Sequence, residues 1–283
     1  MSGLDFAKMK VAFQGEPGAF SEAAAVQLLG EEIHTVPRPT FEATFRAIAD
    51  GAADALLLPV ENTLAGSVVR VYDLLLHSKL EICGETVLPI THALIGMPGA
   101  LLSGIRSVAS HSMALAQCEH FFVKHPTLKR VPAEDTAGSV REMMERGDKT
   151  CAAIAGLRAA KHYKAEVLQE NIQDNKENFT RFVLLLPPEE VQRYRSDEAR
   201  KMSLALRLVH QPGALLACLQ PFARHGVNLL KIESRPIHGK PFEYQFFVDV
   251  DAARCDQLEK ALIEVRRATS DLRVLGLYAA ARR

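Results

Sequence analysis

The sequence predicts an α/β domain followed by a smaller ferredoxin-like α+β domain. Three observations carry that expectation. Up to about residue 187, short apolar runs alternate with segments of helical period, the pattern of an α/β fold with mainly parallel strands. From Met202 onward the apparent order is βαββαβ, a split βαβ unit. Between the two, Pro187–Lys201 (PPEEVQRYRSDEARK) is polar, opens on two prolines and has little to bury; it reads as a linker. A chain of 283 residues suits two domains of ordinary size.

The elements follow in order. Lys10–Gln14 reads as a strand and Phe20–Leu29 as a helix with Phe20, Ala24 and Leu28 on one face. Thr40 is placed to cap a helix whose stripe is Phe41, Thr44, Phe45 and Ile48. Ala55–Val60 is continuously apolar, as in a strand buried on both faces. Val68, Val71, Tyr72 and Leu75 recur at helical spacing. There follow a strand near Ile105–Ala109, a helix over Met113–Val123, a strand near Lys129–Pro132 and a helix from Thr136. Strands at Thr150–Ala155 and Phe182–Leu186 complete the first domain. In the second, Met202, Leu204, Leu206 and Leu208 alternate as in a half-buried strand, and Gly213–Arg224 is a helix with Leu215, Leu216 and Leu219 on one side. Val227–Ile237 and Phe242–Val250 form strands joined by a short His238–Pro241 turn. Leu258, Ala261, Leu262 and Val265 mark a helix, and Leu272–Tyr278 is the last strand.

Composition narrows function. At 48% hydrophobic and 24% charged the chain is globular. Its 34 basic and 34 acidic side chains cancel, so nothing favours a polyanion and nucleic acid is not expected. The start has no signal-peptide core and no transit-peptide bias. The uncharged-looking stretch from Thr86 to Ile105 holds two prolines and three glycines, which rules it out as a membrane span. Five scattered cysteines without CxxC spacing read as reduced thiols of a cytoplasmic protein. HExxH, Walker and GxGxxG motifs are lacking, so neither metal nor nucleotide cofactor is expected.

The loops carry the chemistry. They are Gly15–Ser21, Glu61-Asn62-Thr63, Ser110-His111-Ser112, Asp135–Ser139 and Asn178–Arg181. Most follow strand ends and open helices, where a parallel sheet holds its ligand. Small hydroxyl and amide side chains with free N–H groups suit a small molecule bearing more than one carboxylate. Asp135-Thr136 is also a plain N-cap, and Gly15–Ser21 a plain turn. Glu61-Asn62-Thr63 places three polar groups directly after a buried strand, which demands partners. Ser110-His111-Ser112 lacks the GxSxG elbow of an acyl-enzyme hydrolase. Among ten histidines, His111 alone is placed in a site.

Asn178-Phe179-Thr180-Arg181-Phe182 resembles the NxTRF signature of prephenate dehydratases. The other motifs fall in matching order: Gln14-Gly15 with Gly18–Ser21, Pro59–Thr63, and Ser110-His111 with Gln117-Cys118. Gly213-Ala214-Leu215 and Glu233-Ser234-Arg235-Pro236 resemble the GAL and ESRP motifs of that family's ACT domain. The resemblance implies a two-lobed catalytic domain like a type II periplasmic binding protein over 1–187, with lobes of roughly 10–85 plus 175–187 and of 86–174. A linker at 188–200 and an ACT domain over 201–283 follow. It implies conversion of prephenate to phenylpyruvate without a cofactor, under feedback by L-phenylalanine. Thr180 is expected to hydrogen-bond the departing hydroxyl. Arg181 either pairs with a substrate carboxylate or braces the cleft through Glu61, and Phe182 or Phe179 supplies an apolar wall. Asn62, Thr63, Ser110, His111, Gln117, Thr136, Ser21 and Glu61 are the expected substrate-binding set. Effector binding is expected at Gly213, Ala214, Leu215, Asn228, Leu229, Glu233, Ser234, Arg235 and Pro236. Leu216 and Leu230 depart from commoner Val and Thr and leave the effector open among apolar amino acids.

Two other readings remain at this point. Arogenate replaces prephenate with no change of chemistry, and a non-catalytic sensor of small anions uses the same two-lobed fold. No chorismate mutase segment precedes Lys10, so a monofunctional chain is expected, and the resemblance implies a homodimer or homotetramer.

Overall fold

The computed structural model describes residues 6–237, 239 and 243–281. The chain forms two compact units. One runs to Leu74 and resumes over Thr86–Val183; the other comprises Leu75–Glu85 and the chain from Leu184 onward.

The chain opens with β1 (Lys10–Gln14), α1 (Phe20–Leu29), β2 (His34–Arg38), α2 (Phe41–Ala49), β3 (Ala55–Asn62), β4 (Gly66–Ser67), α3 (Val69–His77) and β5 (Glu81–Pro89). Thr40 caps α2 by accepting from the Ala43 N–H at 3.1 Å, but the fully buried face of that helix is Thr44 and Ala47. The chain then makes β6 (Ala93–Gly96), β7 (Ser107–His111), α4 (Ser112–Ala116), α5 (Glu119–Lys124), β8 (Lys129–Ala133), α6 (Thr136–Arg146), β9 (Cys151–Ala155), α7 (Leu157–Tyr163) and β10 (Glu166–Gln169). It returns as β11 (Phe179–Leu186).

Two sheets result, in the orders β2-β1-β3-β11-β5 and β10-β6-β9-β7-β8. The return strand β11 therefore lies between β3 and β5, and two lobes are linked by two crossings, as the family resemblance implies. Strands β1, β2 and β3 run parallel, as do β7, β8 and β9. Strand β6 is antiparallel to β9 and β10, because it enters straight from β5 with no helix before it to reverse the chain. In the second sheet Leu94 and Ile154 face one core with Val108, Leu115 and Phe122. Their neighbours Ile95, Ala153 and Ala155 face another with Val140 and Met143. Burial on both faces explains why these strands read as unbroken apolar runs.

The single helix expected over Met113–Val123 is two. Asp174 causes the break: its carboxylate accepts from the N–H groups of Glu119 at 2.8 Å and His120 at 2.9 Å, capping a new N-terminus. Gln117 is left at the C-cap of α4.

The smaller unit contains α8 (Pro188–Tyr194), β12 (Lys201–Arg207), α9 (Ala214–Arg224), β13 (Leu229–Pro236), β14 (Tyr244–Asp251), α10 (Cys255–Ala268) and β15 (Asp271–Tyr278). Its sheet is β13-β14-β12-β15 and wholly antiparallel, the expected ferredoxin-like arrangement. The His238–Pro241 turn, apart from Gly239, lies outside the described residues. Half of the segment read as a linker is helical: α8 starts on proline and buries Val191, a single anchor too sparse to give a periodic signal. The inward face of α9 is Ala214, Cys218, Pro221 and Phe222. Leu215 and Leu216 are exposed while Leu219 packs against the core, so the three leucines read as one side are split between solvent and core.

Residues Leu75–Glu85 are built into this unit by polar bonds. Arg273 donates to the carbonyls of Leu75, Leu76 and Leu80 at 2.9–3.3 Å, satisfying groups left open by the end of α3. The Lys201 ammonium meets both Glu85 oxygens at 2.9 and 3.1 Å and Asp249 at 3.7 Å. Asp249 also accepts from Ser203, which is bonded to the Tyr278 hydroxyl at 2.6 Å. A Cβ on Gly276 would fall 2.1 Å from the Ile82 carbonyl oxygen. Among the described residues, no helix is long and apolar enough to cross a membrane.

Candidate active site

The end of β3 and the start of β11 bring Asn62 against Asn178 and Thr180. The Asn62 Nδ2 lies 2.7 Å from Asn178 Oδ1, 2.9 Å from Thr180 Oγ1 and 3.1 Å from the Phe179 carbonyl. Its Oδ1 accepts from the backbone N–H groups of Leu64 and Ala65 at 2.9 and 2.8 Å. The Thr180 hydroxyl thus accepts from Asn62 and retains its own proton for donation. Thr180 is 8% exposed, where a hydrogen bond made to a reacting oxygen counts for more than it does in water.

Beyond Asn62 the polar groups continue. Asn178 Nδ2 donates to Gln117 Oε1 at 3.1 Å, and His92 Nε2 lies 2.9 Å from the same oxygen. His92 is 2% exposed, with its Nδ1 buried and unpartnered and its ring edge-on to Phe20 at 5.6 Å. Burial holds its pKa below the ordinary value, against the opposing bond to Gln117, so the ring is neutral near pH 7. Nothing in the order of residues around His92 singles it out. Its only signal is a lone histidine before an apolar run, which also describes an ordinary core residue.

The remaining expected residues take varied places. Thr63 stitches the strands together, donating to the Glu177 carbonyl at 2.8 Å and accepting from the Phe179 N–H at 2.9 Å. Glu61 and Arg181 form an ion pair at 3.7 Å, which is the bracing alternative. Phe182 is 2% exposed and belongs to the core, with no face left for a ligand. Ser110 is fully buried and donates to the Ile154 carbonyl at 2.6 Å. His111 is exposed and caps α4, its Nδ1 accepting from the Met113 N–H at 3.2 Å. Thr136 opens α6, whose cap is Asp135, accepting from the Gly138 N–H at 2.5 Å. Ser21 lies buried in the first turn of α1. Cys118 is no nucleophile, since burial pushes its thiol up to about 12.

The two lobes touch beside this cluster. A Cβ on Gly18 would fall 2.6 Å from Ala159 Cα, and one on Gly156 would fall 2.9 Å from the Phe20 ring. Arg158 pairs with Glu22 at 3.2 Å and Arg141 with Glu16 at 3.6 Å. Burial works to raise the Glu22 pKa, but bonds from the Gly18 N–H, Thr35 and Arg158 hold it below the usual range.

In the smaller unit, a cavity of about 150 Å³ opens where β12 meets α9, walled by Leu208, Ala214, Leu215, Tyr244 and Phe246, with His210, Gln211 and Glu243 as its polar side. Of the expected effector residues, Ala214 and Leu215 line it. Gly213 adopts φ +79° with nothing within 4 Å of an added Cβ, a backbone conformation that favours glycine. Asn228, Leu229 and Glu233–Pro236 do not line this cavity. They lie on or beside the alternating strand β13, paired to β14.

Fold and site together define a two-lobed α/β protein with a hydroxyl–amide cluster and a C-terminal ferredoxin-like module. The sequence model of prephenate dehydratase matches residues 11–190, and that of the ACT domain residues 202–267. The chain belongs to the prephenate dehydratase family and carries an ACT domain. It is 40% identical over 286 residues to arogenate dehydratase/prephenate dehydratase 6, chloroplastic, of Arabidopsis thaliana, covering 95% of this chain and 68% of that one. The solved prephenate dehydratase of Arthrobacter aurescens in complex with L-Phe is 34% identical with a TM-score of 0.85, over 95% of this chain and 89% of that one. GqqA, described as a novel type of quorum quenching acylase, is 32% identical with a TM-score of 0.85, over 96% and 98%.

Proposed function

We propose that the protein is a prephenate dehydratase with residues 1–187 as its catalytic domain, joined through 188–200 to an ACT domain at 201–283 that binds L-phenylalanine. One observation carries the catalytic reading: the Thr180 hydroxyl accepts from Asn62, so its proton is the one offered to a ligand. In the reaction the bond from the ring to its hydroxyl breaks and the bond to the ring carboxylate breaks. The carbon dioxide leaves its electron pair in the ring, which becomes aromatic. The departing hydroxide needs a proton to leave as water. A threonine hydroxyl is too weak an acid to surrender its proton at pH 7, so Thr180 polarises the leaving oxygen while solvent makes up the proton. Arg181, already paired with Glu61, braces the site. Too tight a grip on the carboxylate would retain the charge that must flow into the ring.

The relative named an acylase prompts a comparison of hydroxyls. Ser110 is bonded to a carbonyl and Thr180 to an amide donor, so neither has the adjacent base an acyl-transfer nucleophile requires. The reading is tested by phenylpyruvate absorbance in alkali after incubation with prephenate, with and without L-phenylalanine, and by chromatographic detection of phenylalanine formed from arogenate. Turnover of prephenate suppressed by phenylalanine is the expected result. Turnover of arogenate alone would reassign the substrate, and inertness toward both would overturn the reading.

A further inference from the structure

The direction of every bond in the Asn62–His92 cluster follows from two backbone groups. The N–H groups of Leu64 and Ala65 only donate, so the atom of Asn62 that they meet is its oxygen. The Asn62 nitrogen therefore faces Asn178, which must answer with its oxygen. That turns the Asn178 nitrogen toward Gln117, which must present its own oxygen. A second group meeting that oxygen has to be a donor, so His92 carries its proton on Nε2. The bare Nδ1 that this tautomer leaves is the His92 atom that is buried and without a partner. Inverting one amide would set two donors, or two acceptors, face to face at the next contact.

We infer that His92, held as its neutral Nε2–H tautomer, is a positioning residue for the dehydration: it closes a one-way chain through Gln117, Asn178 and Asn62 that keeps the Thr180 proton directed at the substrate. The inference rests on the proposed function for its chemistry. Without the His92 donor, Gln117 Oε1 is held by Asn178 alone. The backbone still fixes the sense of Asn62, but Asn178 loses the anchored oxygen that holds its side chain against the Asn62 nitrogen, and the bond from that nitrogen to Thr180 Oγ1 loosens. Substrate still binds, but a smaller fraction of complexes presents the proton correctly.

The test has two arms. In the unaltered protein, ¹⁵N-histidine NMR at pH 7 should show a buried neutral ring protonated at Nε2, identified as His92 by its loss in His92→Gln. A ring protonated at Nδ1, or at both nitrogens, overturns the proposal. In steady-state kinetics with whichever of prephenate and arogenate the unaltered protein consumes, His92→Phe should lower kcat roughly ten- to hundredfold with KM changed less than about threefold. His92→Gln, which keeps an N–H donor, should recover most of kcat. Undiminished kcat in a folded His92→Phe protein, or equal losses in the two variants, overturns it. An unaltered protein inert toward both substrates sinks the functional reading instead, and the NMR arm still reports on the tautomer by itself.

Discussion

Thr180 has one hydroxyl and, with Asn62 bonded to its oxygen, a proton that points away from Asn62. Replacing it with alanine removes a donor that acts on charge developing as hydroxide leaves. Thr180→Ala is expected to lower kcat by roughly 10²- to 10³-fold, the cost of losing one such donor, with a far smaller change in KM. Thr180→Ser should restore much of the rate, and equal losses in kcat and affinity would count against the role. His92 makes a second prediction at this scale. Its ordinary pKa of 6.5 is lowered by burial in the folded protein. Between the lowered value and 6.5 the unfolded chain binds a proton that the folded chain does not. Stability is then complete above pH 6.5 and falls as pH drops through that window. Urea midpoints measured between pH 7.5 and 5 should fall more steeply for the unaltered protein than for His92→Gln, and identical slopes would refute this.

Among the elements, the loop between β1 and α1 is the most tightly specified. Gly18 combines φ +87° with a backbone neighbour 2.6 Å from an added Cβ, whereas Gly30 has φ +94° and open space. Gly30→Ala should cost about 1 kcal/mol from backbone strain alone. Gly18→Ala should cost about 2 kcal/mol or more and reduce turnover, because Ala159 must also move. Denaturation of the two variants side by side checks the difference. The same scale shows what a sequence discloses. Strands β1, β3, β9 and β11 were legible because burial on both faces leaves an unbroken apolar run, and Thr40 because its cap lies three residues from its donor. The α4–α5 break was not, since the group that caps α5 is Asp174, 55 residues from Glu119. Nor was the inward face of α9, where Leu215 and Leu216 are exposed and the buried positions include Cys218 and Pro221, residues that draw the eye less than a pair of leucines. In the site, Asn62 and Thr180 were accessible through motif resemblance and the demand of polar groups after a buried strand. His92 was not, because its importance lies in a tautomer set by residues far along the chain.

At the scale of the whole molecule, Lys201, Glu85 and Asp249 form the largest concentration of buried charge in the smaller unit. One ammonium serves two buried carboxylates, so removing it takes the compensating charge from both. Lys201→Met should destabilise the protein by about 3–5 kcal/mol, and adding Glu85→Leu and Asp249→Leu should recover part of the loss. A fall in thermal midpoint no greater in the single variant than in the triple would refute this. The boundaries drawn by family resemblance and by folding also differ here. The two sequence models part between residues 190 and 202, yet Leu75–Glu85 packs as part of the smaller unit. A scissile point placed in that interval would remove Arg273 from three carbonyls, Lys201 from Glu85, and the strand beside Ile82. The amputated N-terminal piece would present a raw, charged wound in place of a finished surface. The ACT module therefore carries, as part of its own packing, a stretch encoded more than a hundred residues before it.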